Sequence, residues 1–311
     1  MKIIFMGTPD FAAVSLQALL DSGVHEIALV VTQPDRPKGR GQKLQPSAVK
    51  SLALQYGLPV YQPEKLDTAD GYEYLKSLQP DLIVAAAYGQ ILSRRILELP
   101  VYGCINVHAS LLPLYRGAAP IHRAVIEGRE ETGVTIMKMA EELDAGDMYE
   151  KEAVTIEAED TLGTVHDKLA FAGGRLLLTV IEQLAAKTAK AVKQDAALVT
   201  YAEKISKAET EINWNLPAKA IHNLVRGTNP FPGAYTYLDN KRWKIHRTRI
   251  IPETKGLLPG QILSDNDRLI VGTGEGALLL LEIQPENSKK MLAADYLKGH
   301  KISNLCMFGG K

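Results

Sequence analysis

Residues 81–87, DLIVAAA, contain no polar side chain after Asp81 and are bounded by Gln79-Pro80 on one side and Tyr88-Gly89 on the other. So short and apolar a run between turn residues reads as a strand buried on both faces, which requires a sheet covered by helices. The beginning of the chain follows the same logic. Lys2 to Met6 is a second buried strand, Gly7-Thr8-Pro9-Asp10 turns it into an amphipathic helix ending near Gly23, and an apolar run follows at Glu26 to Thr32. Strand, helix and strand within about 30 residues open a parallel α/β sheet. A helix from Ser47 to Tyr56, a short strand at 59–62 and a helix near 69–78 continue the pattern.

The first turn, GTPDFA, has one glycine where a dinucleotide fingerprint needs G-x-G-x-x-G, and no G-x-x-x-x-G-K-[ST] loop occurs. NAD and FAD are therefore not expected. Ligands of open α/β sheets bind beyond the carboxyl ends of the strands. The loop Tyr88-Gly89-Gln90-Ile91-Leu92 and the one after the next strand, Cys104 to Val107, should thus face one crevice. That strand delivers Asn106 and His108 two residues apart, and alternation sends both to the same face. A helix from Pro120 to about Glu127, strands at 134–139 and 148–156, and the intervening loop EELDAGD follow, the two strands being expected antiparallel and the sheet mixed. Asp144 lies at the tip of that loop, in a turn with Gly146 that points its carboxylate inward. Asp160-Thr161 should cap a long helix reaching Ala186, kinked or closely approached at Gly173-Gly174.

Residues 33–46, QPDRPKGRGQKLQP, hold three prolines, two glycines, four basic residues and one acid. Such density predicts a long exposed loop without a regular element. Arg36, Lys38, Arg40 and Lys43 in that loop are candidates for phosphate contact. The chain has no net charge, yet residues 206–311 carry 15 basic and 10 acidic side chains against 21 and 26 in the first 205. An asymmetry of this kind points to separate domains, one of which meets a polyanion.

Lys187 to Lys207 lacks periodicity and reads as a linker. The predicted division is 1–188, 189–207 and 208–311. In the last part a helix at 217–226 precedes short strands at 234–238, 243–250, 261–263, 268–272 and 277–283, with turn residues between them, which predicts a small β-barrel. Residues 241–255 carry six basic side chains and one acid, and strand periodicity places Arg247 and Arg249 on one face. The fold class is accordingly α/β: an N-terminal Rossmann-like, mostly parallel sheet and a C-terminal OB-like β-barrel. With 46% hydrophobic residues the chain can bury sizeable cores. No uncharged apolar stretch reaches the ~18 residues of a membrane helix, and MKIIFMGTPDF is a strand rather than a signal peptide, so a cytoplasmic protein with no membrane association is expected. Cys104 and Cys306, far apart and without metal spacing, are expected as packed thiols, and no metal is expected.

The segment CINVHASLLPLYRGAAPIHRA, with LDAGDM, IIFMGTPDFA, TQPDRPKGRGQKL, ETGVTIMKM, LVTYAEKISK and TNPFPGAYT, closely resembles the folate-dependent formyltransferases over essentially the full length. SLLPxxRG and LDAGD mark the catalytic domain shared with glycinamide ribonucleotide and amino-sugar enzymes. The basic first loop and the barrel resemble the branch acting on initiator tRNA. What the resemblance implies is transfer of the formyl group of 10-formyltetrahydrofolate to the α-amine of methionyl-initiator tRNA, giving N-formylmethionyl-tRNA for translation initiation. Residues 1–188 would be the catalytic domain and 208–311 the tRNA-binding domain of a monomer. Asn106, His108 and Asp144 would be catalytic. Ser110, Leu111, Leu112 and Pro113 would line the folate site, with Gly89, Gln90, Ile91 and Leu92 against the pterin. Arg36, Lys38, Arg40, Lys43, Lys204, Arg247 and Arg249 would meet the tRNA. Two alternatives stay open: a formyltransferase for a small amine such as an amino-sugar nucleotide, and a non-catalytic RNA-binding protein.

Overall fold

The computed structural model describes residues 1–38, 43–251, 256–304 and 306–309, with the side chains of 38 and 43 not described. In chain order the elements are β1 (Lys2–Gly7), α1 (Asp10–Ser22), β2 (Glu26–Val31), β3 (Arg36–Lys38), β4 (Lys43–Gln45), α2 (Ala48–Gln55), β5 (Val60–Tyr61) and α3 (Ala69–Ser77). Next come β6 (Leu82–Ala86), α4 (Arg94–Leu97), β7 (Cys104–His108), α5 (Pro120–Ile126), β8 (Glu131–Lys138), β9 (Met148–Thr155) and α6 (Leu162–Ala185). The remainder holds α7 (Ala218–Gly227), β10 (Ala234–Leu238), β11 (Lys241–Ile251), β12 (Ile262–Asp265), β13 (Arg268–Gly272), β14 (Ala277–Gln284), β15 (Met291–Leu292) and α8 (Ala293–Gly299). The chain forms two compact units, one of residues 1–120, 132–155 and 166–202, the other of residues 121–131, 156–165 and 203–311.

The first unit is a seven-stranded sheet in the order β5-β2-β1-β6-β7-β8-β9. The strands from β5 to β7 are parallel, and β8 runs antiparallel to β7, so the sheet is mixed and mostly parallel. Every residue of β6 is buried, as its unbroken apolar run requires. The chain moves outward from β1 through β2 to β5 and then returns to the other side of β1 through β6 and β7. This reversal opens a crevice beyond the carboxyl ends of β1, β6 and β7, where helix connections leave in opposite directions. Gly7 marks the spot, since a Cβ there would lie 2.5 Å from the Ala12 Cβ and 2.9 Å from the Ala86 carbonyl oxygen. Gly173 and Gly174 of α6 likewise serve close approach: substituted, they would meet Val107 and Ala18. Thr161 caps α6, its hydroxyl accepting from the Thr164 N–H at 3.3 Å.

Residues 33–46 correct the expectation of a loop without regular structure. β3 and β4 pair as an antiparallel ribbon with Arg36 opposite Gln45 and Lys38 opposite Lys43. Pro37 is tolerated because in a two-stranded ribbon both strands are edges, where a missing N–H need not break a ladder. The neck of the ribbon is pinned: the Thr32 and Ser47 hydroxyls share a hydrogen bond at 2.8 Å, and Asp35 takes hydrogen bonds from Lys50 at 2.6 Å and Gln62 at 2.8 Å. Lys50, then Gln62, hold the Asp35 carboxyl below the usual carboxylate range.

Residues 189–202, expected within the linker, run against the first unit. Val192 bridges Met148, and Tyr201 bridges Arg116.

In the second unit an antiparallel sheet runs β10-β11-β14-β13-β12, with β15 on β14. It packs on α7 and α8 around Trp214, Ile221, Val225, Trp243, Ile245 and Phe308. Among the described residues no ladder joins the two end strands, so the expected barrel does not close. The tail reaches both sides: the Gly309 N–H donates to the Tyr237 carbonyl at 3.0 Å, while Met307 bridges Gln261, with the Phe308 N–H on the Gly260 carbonyl at 2.8 Å and the Ile262 N–H on the Cys306 carbonyl at 3.0 Å. Phe308 stacks on Trp214 at 5.6 Å to anchor that tail.

Gly7→Ala should destabilise the first unit by about 1–3 kcal/mol, because the methyl overpacks a junction built at backbone distance. Denaturant unfolding of the variant, compared with wild type, measures this.

Candidate active site

β7 carries the central pair of side chains because its two neighbours clamp it. Asn106 stands between Ala85 of β6 and Met137 of β8, and His108 lies opposite Thr135. Asn106 is half-buried, and its amide has no hydrogen-bond partner among the described residues. His108 is buried. Its Nε2 is 3.1 Å from the Tyr115 carbonyl, to which it donates as N–H, and its Nδ1 faces the Asp144 carboxylate at 3.6 Å. The last separation exceeds a direct hydrogen bond.

The SLLPLYRG loop folds on itself. Ser110 is buried and donates to the Leu114 carbonyl at 2.6 Å. Thr135 on β8 staples the loop from beneath, donating to the Ser110 carbonyl at 2.6 Å and accepting from the Leu112 N–H at 3.1 Å. Leu112 packs on Met137 and Met148, and Lys151 donates to the Leu112 carbonyl at 3.1 Å.

Asp144 adopts the left-handed backbone, φ +49°, a conformation Asp tolerates better than most residues. Its carboxylate accepts from the Gly117 N–H at 2.8 Å. Two residues on, Gly146 passes so close to the Lys138 carbonyl that any Cβ would overlap it. The Asp144 and Gly146 carbonyls both accept from Gln194 Nε2, at 2.7 and 2.8 Å. Gln194 Oε1 in turn accepts from Arg116 Nε and Nη2 at 3.0 and 2.9 Å. The 200–202 stretch completes the frame: the Arg116 N–H donates to the Thr200 carbonyl at 2.9 Å, and the Tyr115 N–H to the Thr200 hydroxyl at 2.8 Å.

The structure thus brings Asn106 and His108 onto one strand end and Asp144 beside His108. The other expected positions have mixed placements. Ser110 and Leu112 are buried within their own loop. Gln90 turns toward residues 63–66, its carbonyl accepting from the Leu66 N–H at 2.9 Å. Leu92 is part of the core and Ile91 is 76% exposed. Gly89 takes φ +86°. Tyr88 is buried with its hydroxyl unpartnered, and burial raises its pKa above the usual phenol range. Among the basic residues, Arg36, Lys204, Arg247 and Arg249 are exposed, Arg247 lying 3.7 Å from Glu282. Arg40 and the side chains of Lys38 and Lys43 lie outside the described residues.

Thr135, Gln194 and Thr200 carry no signal of their own in the sequence, although Thr135 and Thr200 fall in the family-like segments ETGVTIMKM and LVTYAEKISK. Burial pushes the Cys104 thiol up to about 12, so it stays protonated and is a packing group. Among the described residues no group of three or more His, Cys, Asp or Glu could hold a metal ion, and no helix is long and apolar enough to cross a membrane.

Comparison with known proteins settles the lineage of this arrangement. Residues 1–181 match the family model for formyl transferase, and residues 204–301 match the model for the formyl transferase C-terminal domain. The chain belongs to the formyltransferase family. It is 50% identical over 303 residues to the methionyl-tRNA formyltransferase of Moorella thermoacetica, covering 97% of each chain. To that of Staphylococcus epidermidis it is 48% identical over 300 residues, covering 96% of each. Among solved structures, it is similar in fold to an N-formyltransferase from Helicobacter canadensis complexed with folinic acid and dTDP-3-aminofucose, at TM-score 0.66 and 18% identity, covering 94% of this chain and 100% of that one. HypX from Aquifex aeolicus in complex with tetrahydrofolic acid gives TM-score 0.66 at 18% identity, over 100% of this chain and 51% of that one.

Thr135→Val keeps the volume of the staple but leaves the Leu112 N–H and the Ser110 carbonyl unpaired. We expect a loss of about 1–3 kcal/mol in unfolding free energy. A raised KM for the formyl donor should accompany it, because the loop that shapes the crevice is released; steady-state kinetics measures this directly.

Proposed function

We propose that this protein transfers the formyl group of 10-formyltetrahydrofolate to the α-amine of methionyl-initiator tRNA, yielding N-formylmethionyl-tRNA. The observation that carries the reading is the convergence of Asn106, His108 and Asp144 at the carboxyl end of β7, in a chain about half identical to methionyl-tRNA formyltransferases over nearly its whole length. The acceptor amine needs little activation. A free α-amine titrates near ~7.7, and esterification of the carboxyl lowers that further, so a neutral fraction exists at pH 7.

In this mechanism the amine nitrogen attacks the formyl carbon and the carbonyl electron pair moves to oxygen. The unpaired Asn106 amide donates to that oxyanion, with His108 as a second donor when charged. As the tetrahedral intermediate collapses, the bond from the formyl carbon to N10 breaks and its electrons return to nitrogen. The attacking amine loses one proton, and the departing nitrogen gains one. The His108 and Asp144 pair, 3.6 Å apart, suits that exchange, because a shift of about 1 Å brings Nδ1 and the carboxylate into hydrogen-bond distance. The folate would occupy the crevice beyond β6 and β7, shaped by Gly89 to Leu92 and by the Ser110 to Pro113 loop.

The basic surfaces suit the nucleic-acid half of the substrate. Arg36 stands on the β3–β4 ribbon, in a sequence segment where Lys38, Arg40 and Lys43 carry the same sign. Lys204, Arg247 and Arg249 are the exposed cations proposed to meet phosphates in the second unit. We read that unit as an OB-like barrel left partly open, its end strands linked by the C-terminal tail, and acting within a cytoplasmic monomer. Residues 1–188 then serve as the catalytic domain, 189–207 as the connection and 208–311 as the tRNA-binding domain.

Radiolabelled formyl transfer to charged initiator tRNA tests the assignment, with uncharged tRNA and an amino-sugar nucleotide as controls. Label should appear only in the charged initiator; formylation of the sugar alone would overturn the acceptor. Under single turnover, Asn106→Ala should slow transfer about 10²–10³-fold with the fold intact. For the arginines, Arg247→Ala with Arg249→Ala should weaken tRNA binding at low salt and flatten the salt dependence of log K by about 1.4–1.8. The KM for folate should stay unchanged.

A further inference from the structure

Gln194 lies in a stretch whose sequence suggests only a linker, and we propose that it is a positioning residue for formyl transfer, holding Asp144 against His108 through the backbone of residues 144–146. The inference rests on the reading of Asn106, His108 and Asp144 as the catalytic group.

Every hydrogen-bonding capacity of the Gln194 amide is directed. Its two N–H groups go to the Asp144 and Gly146 carbonyls at 2.7 and 2.8 Å, and its oxygen takes two N–H groups of Arg116 at 3.0 and 2.9 Å. A primary amide has two donors and two lone pairs, so none remains for a substrate. Such saturation belongs to a strut rather than to a recognition group.

What the strut supports is the conformation of Asp144. In the surrounding loop Glu141, Glu142 and Leu143 are exposed, the Ala145 N–H reaches the Glu142 carbonyl at 3.4 Å, and Glu142 pairs with Arg116 at 3.6 Å. Arg116 is buried, and its own backbone is locked to the 200–202 stretch in both directions, with its N–H to Thr200 at 2.9 Å and its carbonyl from the Ala202 N–H at 2.7 Å. The next residue, Gly117, donates to the Asp144 carboxylate at 2.8 Å. Residues 116 and 117 therefore grip Asp144 twice, directly at the carboxylate and through Gln194 at the backbone. A misplacement of about 1 Å at a reacting group can cost on the order of 10²-fold in rate.

Gln194→Glu separates positioning from folding. The substitution keeps the shape and the acceptor for Arg116, now as an ion pair, but sets a carboxylate against two carbonyls that need a donor. The expected result, at a temperature where circular dichroism shows the variant fully folded, is a fall in kcat of at least tenfold with KM for both substrates within twofold. Asp144→Asn is assayed in parallel. If Asp144→Asn is inactive while Gln194→Glu keeps kcat within twofold of wild type, the positioning role is wrong. It is equally overturned if the loss appears in KM, or if it disappears when kcat is scaled by the folded fraction. If Asp144→Asn itself works at the wild-type rate, the catalytic reading beneath the proposal is what fails.

Discussion

Asp144 is held with its backbone left-handed and its carboxylate turned inward, and the rest of the candidate site is arranged around that constraint. A non-glycine residue keeps such a conformation where its surroundings over-determine it. Here they do so from three directions: the Gly117 N–H on the carboxylate, the Gln194 amide on the backbone, and Gly146 pressed against the Lys138 carbonyl. The consequence reaches His108, which is fixed at its other nitrogen by the Tyr115 carbonyl. With Nε2 on the Tyr115 carbonyl and Nδ1 facing the carboxylate at 3.6 Å, the geometry of the pair is set by the loops and not by the two side chains alone.

Those loops exist where they do because of the sheet. The reversal in the order of strand addition between β1 and β6 leaves the carboxyl ends of the central strands uncovered, and β7 brings its polar pair to that edge. β8, antiparallel beside it, contributes Thr135 at the level of His108. A parallel neighbour would have needed a long crossover to supply a residue there. The mixed sheet thus serves the candidate site as well as the core, since one strand carries Asn106 and His108 and the next supplies the staple.

Much of this was legible in the sequence. The unbroken apolar runs marked β1 and β6, the two-residue spacing of Asn106 and His108 predicted a shared face, and LDAGD put Asp144 in a turn with Gly146, its carboxylate inward. The strands 234–238 and 268–272 fall where turn chemistry and alternation put them. Other features were not legible. The ribbon at 33–46 is stabilised by side chains at its neck, Thr32 with Ser47 and Asp35 with Lys50 and Gln62, contacts that composition does not reveal. Barrel closure depends on whether two end strands meet, and here an irregular tail lies between them. Arg116 and Gln194 are 78 residues apart, and their pairing leaves no periodic trace.

The sequence by itself determined which segments become buried strands and helices, which side chains share a strand face, and to which family the chain belongs. Periodicity and motif spacing are properties of neighbouring residues, and local sterics enforce them wherever the segment sits. Only the tertiary structure decided that residues 190–202 turn back onto the loops of the candidate site, that Ser110 and Leu112 face inward, and that Asp144 is held from behind by a glutamine. These outcomes depend on hydrogen bonds between segments with no local pattern in common. Each is satisfied only once the sheet has brought its partners within about 3 Å of one another.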